Sequence, residues 1–178
     1  MEVIMKDFLI VVDIQNDFVD GALGTPEAVA IIDKAADKIK SHKGEIVVTY
    51  DTHFENYMES AEGKRLPVPH CIKGTAGFEL NPKIAEALNG RHYTSVEKIT
   101  FGSVELPGVI EKLADGEDFR VTLIGLCTDI CVVSNALILK AAFPEKDIAV
   151  DPSCTAGVTP HSHNAAIETM RMCQITIL

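Results

Sequence analysis

The stretch Phe119–Ala142, FRVTLIGLCTDICVVSNALILKAA, contains the reading that decides the fold. Phe119–Ile124 is a short apolar run rich in β-branched residues and predicts a buried strand. Gly125-Leu126-Cys127-Thr128-Asp129-Ile130-Cys131 follows as a turn, and Asp129–Ala142 carries the spacing of a helix. A buried strand that passes straight into a helix is half of a βαβ unit, which needs a parallel neighbour.

The alternation extends in both directions. Toward the C-terminus, Asp147–Val150 reads as a strand, His161–Met172 as a helix and Gln174–Leu178 as a terminal strand. Toward the N-terminus, Leu106–Ala114 reads as a helix and His92–Val96 as a strand, with Lys98 just beyond it. Glu45–Tyr50 is another apolar run, ending at Asp51. Glu27–Ser41 places Val29, Ile32, Ala36 and Ile39 at helical spacing, behind an N-cap candidate Thr25 and a first-turn Pro26. Phe8–Val12 is the first strand, ending at Asp13. The expectation is one α/β domain over residues 1–178: a three-layer α-β-α sandwich, Rossmann-like, on a six-stranded, mainly parallel sheet. The connection from Asp51 to about Pro82 is longer than most in compact domains, which points to function.

Composition narrows the partners. The 178 residues carry a net charge of −10 with no basic cluster, which excludes nucleic acid and anionic membrane as principal partners. No apolar run approaches the roughly 20 residues that span a bilayer. Phe8–Val12 is too short for the core of an export signal. Cys71, Cys127, Cys131, Cys154 and Cys173 make an odd set, which suggests reduced thiols and a cytoplasmic setting.

In parallel sheets, ligands gather beyond the carboxyl ends of the strands. Asp13, Asp51 and Lys98 sit at three such ends, and Cys131 follows a fourth. A cysteine in the first turn of a helix, near a lysine, is expected to have its pKa lowered from about 8.5 to roughly 3.5–7.5. On its own, such a cysteine is more often a small buried apolar residue. An acid after a strand is often only a turn former, and Lys98 beside Glu97 also suits a solvated surface.

Asp13 in Val11-Val12-Asp13-Ile14-Gln15-Asn16-Asp17-Phe18, Lys98 in Glu97-Lys98-Ile99-Thr100-Phe101 and Cys131 in Thr128-Asp129-Ile130-Cys131-Val132 together resemble the three motif regions of the isochorismatase-like cysteine hydrolases. The resemblance covers essentially the whole chain and is strongest to the nicotinamidases. It implies an Asp13/Lys98/Cys131 triad that hydrolyses a small amide, nicotinamide above all, through a thioester. Backbone N–H groups of Cys127 and Cys131 would form the oxyanion hole, with a cis peptide at Thr128. Cys127 would contribute its backbone alone, because C-x-x-x-C is neither a redox nor a zinc spacing.

The same resemblance implies a metal site. Asp51-Thr52-His53 and Pro67-Val68-Pro69-His70 offer a carboxylate and two imidazoles, a set that suits Zn²⁺, with Fe²⁺ or Mn²⁺ as alternatives. The remaining ligand is open between Glu62 and Glu59, and Glu62 is preferred. Ordinary loop roles for both histidines are the bland alternative. Phe18 and Phe101 are candidates to sandwich an aromatic ring, and Leu126 to line the pocket by analogy. His161 and His163 are read as cap and surface residues. Family members commonly associate, so a homo-oligomer is expected. The competing readings are ether or carbamoyl hydrolysis on the same triad, a non-catalytic carrier, and a thiol redox protein using Cys127 with Cys131.

Overall fold

The computed structural model describes residues 5–178. Its strands are β1 (Lys6–Val12), β2 (Glu45–Asp51), β3 (Thr94–Lys98), β4 (Phe119–Leu126), β5 (Asp147–Ala156) and β6 (Thr176–Ile177). Among the described residues they form a six-stranded sheet in the order β3-β2-β1-β4-β5-β6, and every pairing is parallel. The chain runs outward from β1 to β3 on one side, then returns to lay β4 against the other side of β1. The crevice between the ends of β1 and β4 is therefore the switch point at which such sheets bind ligands.

Burial on both faces explains why the central strands are apolar throughout. In β1, Leu9 and Val11 point into one core, while Phe8, Ile10 and Val12 point into the other. Helices α2 (Pro26–Ser41) and α4 (Pro82–Leu88) supply the first core with Ile32, Ile39 and Ile84. Helices α5 (Leu106–Ala114), α6 (Val133–Ala142) and α7 (Pro160–Met172) supply the second with Ile110, Leu139 and Met170. Thr25 caps α2 by accepting from the Ala28 N–H at 3.0 Å. Two one-turn helices, α1 (Asn16–Val19) and α3 (Ala61–Arg65), lie near the carboxyl edge.

Several boundaries differ from the expectation. β3 occupies Thr94–Lys98, so Lys98 is the last residue of the strand and not a residue beyond it. β5 continues to Ala156 through Pro152, because the β4–β5 register shifts between Leu123 and Gly125 and β6 pairs only with Ala149 and Val150. β6 shrinks to Thr176–Ile177 because Gln174 has a left-handed φ of 62°, which ends extended structure. The expected helix Asp129–Ala142 opens with a π turn, Thr128–Val132, before α6 begins at Val133. No helix of the described residues is long and apolar enough to cross a membrane.

Candidate active site

Three strand ends place the candidate reacting groups. Asp13 leaves β1 with φ 47°, a left-handed conformation that aspartate tolerates better than most side chains. Its Oδ1 accepts from the Thr49 hydroxyl at 2.6 Å, and its Oδ2 lies 2.6 Å from Lys98 Nζ. Lys98 Nζ also lies 3.5 Å from Cys131 Sγ and 3.3 Å from Asp51 Oδ1, and it donates to Thr100 O at 3.1 Å. Asp13, Lys98 and Cys131 are all buried. On the β4 side, Gly125 faces Val12 in register with φ 118°, and a Cβ there would sit 2.1 Å from the Val12 carbonyl. Only glycine lets β4 lie this close to β1 while turning toward the thiol.

The turn after Gly125 differs from the expected one. The cis peptide lies between Leu126 and Cys127, not at Thr128. The Cys127 carbonyl accepts from Ile130 N at 3.1 Å and from Val132 N at 3.0 Å, which closes the π turn around the nucleophile candidate.

The electrostatics correct a second expectation. The Cys131 thiol is held well above its ordinary pKa, first by complete burial and then by the Asp13 carboxylate, with Lys98 opposing both. The helix-start field does not lower this thiol, because burial of the sulfur outweighs it. Burial also raises Asp13, against the pull of Lys98. Burial disfavours the Lys98 ammonium, yet Asp13, Cys131 and Asp51 outweigh it and keep the lysine charged. Lys98 Nζ thus lies in contact with both the Asp13 carboxyl group and the Cys131 sulfur. The Cys127 thiol is pushed up to about 12, mainly by burial and then by Asp129.

Beside this group, the predicted metal ligands converge. The ligand atoms of Asp51, His53 and His70 all lie within 4.8 Å of one another. His53 Nε2 is 3.0 Å from Asp51 Oδ2, and His70 Nε2 is 3.5 Å from the same oxygen. Glu62, from α3, brings Oε1 to 3.7 Å from His53 Nε2 and 3.5 Å from His70 Nε2. Glu59 is exposed in the turn Tyr57–Glu59 and pairs with neither histidine among the described residues. Glu62 is thus the acid that reaches the cluster. His70 Nδ1 lies 2.8 Å from the Val68 carbonyl, which can only accept, so Nδ1 carries the proton and Nε2 faces the cluster.

Charge in the cluster fits a cation. Burial opposes ionisation of Asp51, yet hydrogen bonds from His53 and His70 and the charge of Lys98 hold it well below the usual carboxylate range. Burial lowers His70, but Asp51 and Glu62 prevail and push it up to about 10. Two carboxylates facing two imidazoles call for positive charge, which a divalent ion supplies in place of a proton.

Phe18 and Phe101 line one narrow cavity with Leu66, His70, Glu62 and Cys131. Leu126 does not line it: the side chain is fully buried in the α2-side core, and its neighbour Cys127 faces the cavity. The alternation along β4 turns Leu126 into the sheet's packing face.

Other side chains at the site escaped the sequence reading. The Gln15 amide clamps Asp51, accepting from its N–H at 2.8 Å and donating to its carbonyl at 2.9 Å. Asp17 Oδ2 accepts from the Cys71 N–H at 2.8 Å, directly after His70. Gly77 gives Asp17 room, since a Cβ there would come within 2.1 Å of Oδ2. His163, read as a surface residue, has Nδ1 2.8 Å from the Thr128 hydroxyl, so it braces the π turn. The run Gln15-Asn16-Asp17, polar directly after a buried strand, was the available signal for the first two; nothing in the sequence singled out His163.

The thiol of Cys131, the amine of Lys98 and the carboxyl group of Asp13 thus meet, buried, at the switch point of a parallel sheet. The isochorismatase domain pattern matches residues 7–178, and the chain belongs to that family. It is 28% identical to the nicotinamidase/pyrazinamidase of Mycobacterium tuberculosis, with 96% of this chain and 97% of that one covered. The solved structure of the Bacillus subtilis nicotinamidase/pyrazinamidase superposes with a TM-score of 0.82 at 26% identity, covering 97% of this chain and 99% of that one. A Pyrococcus horikoshii pyrazinamidase solved in complex with zinc gives 0.77 at 26% identity, covering 97% and 98%.

Proposed function

We propose that this chain is a metal-dependent amidohydrolase that converts nicotinamide to nicotinate and ammonia. One observation carries the reading: the Lys98 ammonium touches Asp13, Cys131 and Asp51 together, joining the thiol group to the metal-type cluster. Similarity to nicotinamidases supports the substrate class.

Asp13 accepts the Cys131 thiol proton, and Lys98 stabilises the thiolate as it forms. The sulfur attacks the carboxamide carbon, and the backbone N–H groups of Cys127 and Cys131 serve the resulting oxyanion. Asp13 then returns its proton to the departing nitrogen, so that the C–N bond breaks to release ammonia and leave a thioester. Water, deprotonated by Asp13, attacks the thioester and restores the thiol as nicotinate departs. Phe18 and Phe101 flank the aromatic ring in the cavity they line. Asp51, His53, Glu62 and His70 would hold the metal, Zn²⁺ by donor type, with Fe²⁺ or Mn²⁺ also accommodated. When bound, the ion supplies a Lewis-acidic anchor for a ring nitrogen.

The test is ammonia release from nicotinamide by purified protein, before and after chelation, with Cys131→Ala alongside. Activity that chelation suppresses, metal restores and the substitution abolishes is the expected result. A metal-replete wild-type protein that releases no ammonia would refute the nicotinamide assignment and direct attention to other amides and ethers.

A further inference from the structure

Helix α6 is apolar along most of its length, and Asn135 interrupts it at a position that is fully buried. A buried amide in a helix interior is unfavourable unless all of its hydrogen bonds are met. Here both ends of the amide are engaged. Nδ2 donates to the Cys131 carbonyl at 2.8 Å and to the Phe101 carbonyl at 3.2 Å, while Oδ1 accepts from the Ser103 N–H at 2.9 Å. One arm thus holds the residue that bears the thiol. The other two hold the loop whose Thr100 carbonyl anchors Lys98 Nζ and whose Phe101 ring lines the cavity.

We infer that Asn135 is a positioning residue that sets the thiol and the Phe101 loop in register with each other, resting on the reading of Cys131 as nucleophile. Its contacts act on different kinetic quantities. The arm to Cys131 fixes the sulfur relative to Lys98 and so governs turnover. The arms to Phe101 and Ser103 fix the cavity wall and so govern substrate binding.

Substitutions separate the arms. Asn135→Ala removes all three and is expected to lower kcat by about 10- to 100-fold, as small misplacements of reacting groups do, and to raise KM. Asn135→Thr retains one arm, because a helical threonine hydroxyl bonds to the carbonyl four residues earlier but cannot reach the Phe101 loop. The threonine variant is therefore expected to recover most of kcat while KM stays raised. Leu139→Ala, one turn further along the same helix, provides the control: it should lower the melting temperature and leave the kinetic split absent.

Iodoacetamide alkylation of Cys131, followed by peptide mass mapping, gives a readout without substrate. Its rate should fall by about fivefold or more in Asn135→Ala, as the sulfur loses its alignment with Lys98, and recover in Asn135→Thr. Unchanged kinetics and alkylation in a folded Asn135→Ala protein would overturn the proposal. So would failure of threonine to restore kcat and alkylation, or reproduction of the alanine pattern by Leu139→Ala. If wild-type protein hydrolyses no nicotinamide, the substrate assignment fails, and the alkylation series alone decides the role of Asn135.

Discussion

The two halves of the site are built by opposite means. The thiol half hangs on the ends of β1, β3 and β4, where paired backbones fix Asp13 and Lys98, and Cys131 follows in the adjoining turn. The metal-type half draws Asp51 from β2 but takes Glu62 and His70 from the long connection after it, which contributes no strand to the sheet. That connection is tied down by side chains in addition to backbone bonds such as His53 N–H to Cys71 O at 3.0 Å. Gln15 Nε2 donates to Phe78 O at 2.9 Å, Asn16 Nδ2 donates to Ala76 O at 2.8 Å, and Asp17 accepts from Cys71 N. A sheet can therefore fix chemistry by itself, whereas a loop needs a second set of polar groups to hold it.

Lys98 belongs to both halves, so its removal should have the largest effect. Lys98→Ala leaves Asp13 and Asp51 as buried carboxylates without their shared cation, and breaking a buried pair in this way costs about 3–5 kcal/mol. Urea unfolding at neutral pH should show that loss together with abolished amide hydrolysis. A midpoint like that of the wild type would mean the two halves do not depend on their common ammonium.

Asp17→Ala should separate the halves. Untying the Cys71 N–H frees the segment that carries His70, and loss of such an outer hydrogen bond weakens metal binding by about 10- to 100-fold. Competition against a chromophoric chelator measures that affinity, while alkylation of Cys131 should proceed at the wild-type rate. An equal loss of both would erase the distinction drawn between strand-built and loop-built chemistry.

The smallest effect concerns the brace on the thiol side. His163 is held below its ordinary pKa, chiefly by burial, with Asp129 on the π turn opposing. Its folded pKa is depressed, so the unfolded chain takes up the proton first as pH falls. The contribution of neutral His163 to stability is full above about 6.5 and is lost as pH drops below it toward the folded value. His163→Gln should make the melting temperature slightly less sensitive to acid in that window. A steeper acid dependence in the variant would contradict the sign.

The sequence made one half more legible than the other for the same physical reason. Apolar runs ending in Asp13 and Asp51 mark two strand ends directly, because the central strands are buried on both sheet faces. The edge strand that ends at Lys98 is only partly buried, and its sequence reading ends two residues too early. Glu62 was separable from Glu59 only as a preference, since α3 is a single turn whose direction depends on tertiary contacts. The helix α4 went unread although Asn81 and Pro82 form a cap and first-turn pair that would have announced it. Asn135 was concealed because its partners, Phe101 and Ser103, lie far away in sequence. The thiol pKa was misjudged because proximity to a helix start is visible in sequence, whereas the depth of burial that overrides it is not.

The strand order has a consequence in time as well as in space. β1 pairs with β4 from Lys6↔Phe119 to Val12↔Gly125, so the carboxylate and the thiol meet only after more than half the chain has been laid down. A chain in which β1, β2 and β3 have already zipped together holds Asp13, Lys98 and the metal-type donor Asp51, yet lacks Cys131 beside them. The proposed centre therefore cannot form before β4 closes onto β1, and thiol reactivity in a refolding experiment would serve as a clock for that long-range closure.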